Sequence, residues 1–232
     1  MTTDTALETG AEAGPATGPV SLSHAMREGS QAQHDAAESS VFVEELMAGR
    51  VSAAGYVNYL RCLHPVYVAL AEVGRALADD PLVSRVHDPR LDRADAIAAD
   101  IADWGTGAPE ETLCAGEAAA AYADRIRATE HSPARFVAHH YTRFLGDLSG
   151  GQAIGRVLDR EFQLGGRGTA LYRFEEIGKV KPYKDGYRAR LDALPLSAPE
   201  RAEVVSEVQA AFGHNQAIFA ELARDLPAYA RG

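Results

Sequence analysis

The longest run of regular apolar spacing lies between Ser52 and Leu77. Tyr56, Tyr59, Leu60, Leu63, Val66, Tyr67, Leu70, Val73 and Leu77 recur at intervals that put them on one helix face. Such a stripe predicts a central core helix. Ser52 can cap its first turn, and Pro65 is expected to bend it. On this spacing the tyrosines fit packing better than a cofactor box. A second long pattern runs through Val204, Val208, Ala211, Phe212, Asn215, Ile218, Phe219 and Leu222, and Ser197-Ala-Pro-Glu200 ahead of it is a capping-type start.

Shorter helices complete the reading. One is expected from Ser21 or Ser23 through His24, Arg27, Gln31, His34 and Glu38, and another from Phe42 to Met47, stopped by Gly49. Others run around Leu91 to Trp104 with Ile97 and Ile101 inward, from Glu117 to Thr129, and from Ser132-Pro133 onward. Gln152 to Phe162 follows with Ile154, Val157, Leu158 and Phe162 buried, and Pro182 can start one more. Tyr172 to Ile177 reads as either short helix or strand. Asp79-Asp-Pro81, His87-Asp-Pro-Arg90, Trp104-Gly-Thr-Gly-Ala-Pro109 and Leu164 to Gly168 are breaks by their Gly, Pro and Asp content. Sustained strand alternation and internal repeats are both missing from the sequence, so the fold class is all-α with short irregular links.

One segment departs from this regularity. Phe136, His140, Phe144 and Leu148 keep a largely apolar or aromatic helix face. Tyr141-Thr-Arg-Phe-Leu-Gly-Asp-Leu-Ser-Gly-Gly-Gln152 then places Gly146, Gly150 and Gly151 where each costs about 1 kcal/mol relative to Ala. Gly146 and Gly150 are one turn apart and share a face. A face without side chains lets a flat group lie almost against the backbone. Asp147 stands beside that strip, with Ser149 nearby. The same spacing also suits a helix that breaks into a Gly-Gly turn, or a close helix crossing.

Composition narrows the options. The 232 residues are expected to form one domain over 21–232 behind a disordered tail, 1–20, rich in Thr, Ala, Gly, Glu and Pro. The start lacks the basic and apolar regions of a signal peptide, and no run approaches the 18 apolar residues of a membrane span. A cytoplasmic, monomeric protein is the expectation. Cys62 and Cys114 have no metal spacing and read as small buried hydrophobes. Net charge is 23 − 33 = −10, which argues against a general nucleic-acid surface. The lysines are Lys179, Lys181 and Lys184, with Arg188 and Arg190 close behind. This local cationic patch suits an anionic ligand or partner, or an ordinary solvated turn.

Arg27 and His34 stand two turns apart, about 10 Å along a helix axis. Glu38 follows His34 by one turn. A carboxylate at that position can fix the ring tautomer and raise its basicity as a metal ligand, although a lone histidine is more often a surface or capped residue. His139 and His140 are neighbours pointing about 100° apart, which disfavours a shared metal and marks them as structural or surface residues.

The tract Tyr141 to Gln152, with its Gly-Asp-Leu-Ser-Gly-Gly-Gln core, resembles the distal-helix signature of the haem oxygenases. His34-Asp-Ala-Ala-Glu38-Ser-Ser-Val-Phe42 is similar to the family's proximal segment, Lys184-x-x-Tyr-Arg188 to its propionate segment, and Phe212-x-x-Asn215 to its pocket pair. The resemblance spans about 21 to 226. It implies a single all-α domain with haem b sandwiched between proximal and distal helices, His34 as axial ligand and Glu38 as its partner. It further implies Arg27, Lys184 and Arg188 at the propionates, where Arg27 stands for a family lysine. Gly146, Asp147, Ser149, Gly150 and Gly151 would form the distal wall, and Tyr141 and Arg143 would join a water network or the propionate edge. The implied reaction opens haem at the α-meso carbon to biliverdin, ferrous iron and carbon monoxide. It uses O2 and electrons from a ferredoxin, ferredoxin reductase or NAD(P)H-dependent reductase. The alternative is a haem carrier or sensor without turnover. A carboxylate-bridged di-iron bundle would need paired Glu-x-x-His motifs, which this sequence lacks.

Overall fold

The computed structural model describes residues 20–105 and 116–229. The expected tail (all but its last residue), the end of the Trp104–Pro109 link, and Cys114 lie outside the described residues. Among those described there is no strand, and no helix is long and apolar enough to cross a membrane.

The central helix forms as its pattern demands. Ser52 Oγ accepts the Gly55 amide, and α4 runs Ala53–Ala76 with Pro65 inside it. Its stripe of Leu60, Leu63, Val66 and Leu70 is buried in one continuous hydrophobic cluster. The second long helix, α10 (Ala198–Arg224), begins with a true capping box between Ser197 and Glu200. Around these two lie α1 (Leu22–Gly29), α2 (Gln31–Glu38), α3 (Val41–Met47), α5 (Ala94–Trp104) and α6 (Glu117–Arg127), then α7 (Pro133–Gly146), α8 (Gln152–Phe162), α9 (Val180–Asp192) and α11 (Leu226–Tyr229). Helix α4 packs against α5 and α6, while α10 packs against α1, α2, α3, α6 and α7. Burying apolar faces from both sides in this way supplies most of the helical stability.

The structure corrects several expectations. The first helix is two: the chain bends at buried Ser30, whose Oγ bonds back to Met26 O at 2.8 Å. Ser21, not Ser23, accepts the first-turn amide. Helix α5 starts at Ala94, because Pro89–Leu91 forms a separate 3₁₀ turn. Tyr172 to Ile177 is neither strand nor α-helix; 3₁₀ turns occupy Ala170–Tyr172 and Glu175–Ile177. Ile154 and Phe162 are only half-buried. Gly49 does stop α3 with a φ of 71°, a backbone state that favours glycine. His139 and His140 are structural and fully buried, bonded to Glu207 and Tyr187.

The loop after α8 is tied down by one carboxylate. Buried Asp100 accepts the Ala170 amide at 2.7 Å and the Leu171 amide at 2.8 Å. Trp104 Nε1 donates to Gly168 O at 2.8 Å beside it. This brings Tyr172 against Gly151. Asp100→Ala is expected to strand both amides and cost about 2–6 kcal/mol, at about 1–3 per unsatisfied group. Chemical denaturation measures the loss, and an unchanged midpoint would refute the tie.

Candidate functional site

A cavity of about 700 Å³ lies among α1, α2, α7, α9 and α10, within the size range of small-molecule sites. Arg27, His34 and Glu38 reach it from α1 and α2. Tyr141 and Gly146 come from α7; Asp147, Ser149, Gly150 and Gly151 from the segment after it; Arg188 from α9; and Phe212 and Asn215 from α10. Lys184 does not border the cavity directly. Its Nζ meets Ser149 Oγ at 3.0 Å and joins the site through that serine.

The glycine tract neither breaks nor crosses another helix. Asp147–Gly151 forms a single π turn that passes the chain from α7 into α8, a device common at functional sites. A Cβ built on Gly146 or Gly150 would meet nothing within 4 Å, so these two form the bare strip along the cavity. Gly151 differs. Its Cβ would come within 3.0 Å of the Tyr172 ring, so the residue is there for packing as well as for the cavity wall.

His34 stands edge-on to Phe212, ring centroids 5.7 Å apart. Glu38 Oε1 lies 3.4 Å from Nε2, as the i, i+4 spacing anticipates, and Asp35 Oδ1 lies 3.4 Å from Nδ1. The Asp35 contact was not foreseen. Among the described residues no three His, Cys, Asp or Glu converge to hold a bare metal ion. A single imidazole suits a metal that brings its own equatorial ligands, as haem iron does.

Beside the glycines is a buried polar network. Arg143 Nη1 donates to Asn215 Oδ1 at 2.7 Å, and Nη2 donates to the Tyr67 hydroxyl at 2.7 Å. Tyr67 in turn donates to Asp147 Oδ2, and Arg143 Nη2 lies 3.8 Å from Asp147 Oδ1. Burial raises the Asp147 pKa, opposed by Arg143 and by the Tyr67 bond. Arg143 is held firmly charged, because Tyr67 and Asp147 outweigh its desolvation. Tyr59 borders the cavity and its phenol is pushed up to about 12, mainly by burial. Tyr59 and Tyr67 pack in the core as their spacing predicts, and in addition Tyr59 borders the cavity and Tyr67 bonds Asp147. A buried tyrosine hydroxyl needs a partner, and that requirement on an otherwise apolar stripe was the available signal.

The remaining wall is cationic. Burial raises the Tyr141 pKa, while Arg188 and Arg27 pull it back, so both guanidiniums lie near that phenol. Burial and the neighbouring Arg188 lower the Lys184 pKa. The cavity therefore combines an apolar body, a bare backbone strip, one accessible imidazole, a buried carboxylate and a cluster of cations suited to carboxylates.

The glycines separate by experiment. Gly150→Leu is expected to leave thermal stability unchanged or raise it by up to about 1 kcal/mol, while its side chain fills the cavity. Gly151→Leu should lose about 1–3 kcal/mol by overpacking against Tyr172. Equal melting temperatures for the two variants would contradict this division.

Comparison with known proteins agrees with this geometry. The family model described as Heme oxygenase matches residues 20–221. Heme oxygenase 2 of Rattus norvegicus is 36% identical over 205 residues, covering 87% of this chain and 65% of its own length. The chain thus spans just under two thirds of that relative. Heme oxygenase 1 of Synechocystis is 33% identical over 89% of this chain and 87% of its own length. The crystal structure of a Synechocystis heme oxygenase-1 in complex with heme superposes with a TM-score of 0.83 at 32% identity, covering 90% of this chain and 95% of that one. The structure of heme oxygenase from Leptospira interrogans gives 0.81 at 33% identity, covering 87% of this chain and 100% of that one. With the family model matching residues 20–221 and a relative 33% identical over 89% of this chain, the chain belongs to the haem oxygenase family.

Proposed function

We propose that the chain binds haem in this cavity and opens it oxidatively to biliverdin, ferrous iron and carbon monoxide, with α-meso cleavage as in the family. The observation that carries the reading is the bare Gly146–Gly150 strip and the buried Asp147 network bordering the same cavity as His34. Haem, as substrate, supplies the iron at which O2 is reduced. His34 would hold the haem iron, and Asp35 or Glu38 would orient whichever ring nitrogen is left free. Gly146 and Gly150 let the porphyrin plane approach the backbone, and Phe212 packs beside the imidazole. Arg27 and Arg188 meet the propionates, with Lys184 reaching them beside Ser149.

Asp147 acts through its position. Tyr67 occupies Oδ2, so the carboxylate is held with a second oxygen to hold water above the ring. Such water can donate hydrogen bonds and protons at the oxygen-binding face without a side chain pressing on it. A polar group in direct contact would favour O–O cleavage instead.

The test is an absorption time course of the purified protein with one equivalent of haemin, in air, with ascorbate or a ferredoxin/reductase system. Loss of the Soret band with growth of biliverdin absorbance is expected. His34→Ala should lose the axial-ligand spectrum. Asp147→Ala should bind haem and lose biliverdin formation by about 10²-fold or more, the scale of a lost proton-transfer group. Full biliverdin yield from Asp147→Ala would remove its role. Stable ferric haem in the wild type under good reduction would instead mark a carrier or sensor.

Electrons come from an acidic donor such as ferredoxin or from a reductase. Lys179 and Lys181 are exposed next to the propionate segment and suit such a partner. Donor-driven turnover should fall as the Debye length shrinks from about 10 Å at 0.1 M salt to about 3 Å at 1 M. Salt-independent turnover would remove that docking role.

A further inference from the structure

Away from the cavity, α6, α7 and α10 meet at a second buried polar cluster. His139 on α7 is 0% exposed, and its Nε2 lies 2.9 Å from Glu207 Oε1 on α10. Glu207 also takes two bonds from Arg125 on α6, at 2.7 Å from Nε and 2.6 Å from Nη2. The Arg125 side chain is 38% exposed, so this end of the cluster reaches solvent. The other charged and titratable groups facing it are Arg135, 4.0 Å from Glu207 Oε2 and bonded to Glu203, and His214, stacked 5.0 Å from the Tyr122 ring.

These neighbours decide the proton positions. Burial pushes Glu207 up, but the His139 and Arg125 bonds prevail and hold it at about 2. Burial lowers the pKa of His139 more than Glu207 raises it. Near neutral pH the pair is a carboxylate beside a neutral imidazole. A carboxylate only accepts, so Nε2 must carry the hydrogen and Nδ1 is left as an acceptor.

That acceptor is buried and has no partner among the described residues; neither has the Tyr122 hydroxyl or Arg143 Nε. The three are chemically complementary: an acceptor, a hydroxyl that does both, and a donor. The Tyr122 and His139 rings are 5.5 Å apart. The Tyr122 hydroxyl lies within the electrostatic reach of Arg143 and Asp147 at the cavity and of Glu207 at the outer end. Buried polar groups are rarely left unbonded, and internal water commonly bridges them with about three bonds each.

We propose that Glu207 and His139 anchor a one-directional hydrogen-bond chain that runs through Tyr122 and bridging water to Arg143 and fixes the orientation of the cavity network. Each donor in it points away from the cavity. Arg143 Nε–H gives towards the Tyr122 oxygen, Tyr122 O–H gives towards Nδ1, and Nε2–H gives to Glu207. With Nε drawn outward, Nη1 and Nη2 remain on Asn215 and Tyr67. The Tyr67 oxygen is then an acceptor for Arg143, and its one hydrogen must go to Asp147. His139 and Glu207 are positioning residues in this scheme, and no proton needs to move along the chain. The effect on turnover rests on the haem oxygenase reading; the hydrogen-bond direction does not.

The first test is ¹⁵N NMR of the haem-free full-length chain. His139 should be neutral with Nε2 protonated and Nδ1 bare; the opposite tautomer overturns the proposal. The second test compares ferric haem complexes of His139→Gln, His139→Leu and Tyr122→Phe, with Tyr59→Phe alongside because Tyr59 is a further hydroxyl near Arg143, besides Tyr67 and Tyr122. Glutamine keeps a donor for Glu207 and an acceptor for Tyr122. It should retain the wild-type pH midpoint of the ferric haem absorption change, and kcat to within about twofold. His139→Leu and Tyr122→Phe should shift that midpoint and lower kcat about tenfold at unchanged haem affinity, the lower end for outer-shell partners. Leucine and glutamine variants that behave alike would overturn the proposal, as would a shift in Tyr59→Phe alone. Should His139→Leu fail to fold, Tyr122→Phe and the tautomer decide. Should the wild type bind haem without degrading it, the tautomer and the midpoint still report on the chain while the oxygenase reading fails.

Discussion

Arg143 and Asp147 place opposite charges inside the protein at the wall of a ligand cavity, and the fold around them is arranged to make that burial tolerable. An uncompensated buried ion is strongly destabilising, and attraction between the partners repays the desolvation only when the remaining donors and acceptors are also filled. The groups that fill them come from distant parts of the sequence. Tyr67 arrives on α4 and Asn215 on α10, and both bond the one guanidinium on α7. Three helices must therefore stop in register at one point. That requirement explains why α4 and α10, the two longest elements, carry a polar group in the middle of their apolar faces.

Support for the site extends outward in a second direction. Asp100 holds the backbone at 170 and 171; that segment carries Tyr172; Tyr172 packs on Gly151; and Gly151 ends the π turn whose first residue is Asp147. Gln152 closes the loop by donating to Tyr172 O at 2.6 Å. A carboxylate remote from the cavity thus helps to set where Asp147 sits on its wall.

Much of this was legible in the residues. The apolar stripe from Tyr56 to Leu77, the Ser52 and Ser197 caps and the Gly49 stop each state their structure locally, because periodicity and capping depend on near neighbours. The Gly146–Gly150 strip was visible as a cost without a local benefit. What escaped reading depends on distance through space. Whether Tyr67 merely packs or also bonds Asp147 is decided by an 80-residue separation along the chain. The bend at Ser30 is a local exception, a back-bond to Met26 that competes with helix continuation, and the Gly29-Ser30 pair was the signal passed over. Gly151 reads like Gly150 until Tyr172, which no pattern connects to it, comes into contact. The site residues inferred by resemblance do converge on one cavity, except that Lys184 reaches it only beside Ser149.

The π turn has a further consequence for the angular bookkeeping of the long α7–α8 rod. An α-helix advances about 100° per residue, so one extra residue in a turn resets the azimuth of everything beyond it. Before the turn, Phe136, His140 and Phe144 point into the core; after it, Val157 and Leu158 do so again. Between them, Gly146 and Gly150 look into the cavity. The wide turn acts as a phase shifter that lets one rod serve two surfaces in succession. Inserting or deleting a single residue between Asp147 and Gly151 would therefore rotate all of α8 about its axis, disturbing the core and the cavity together.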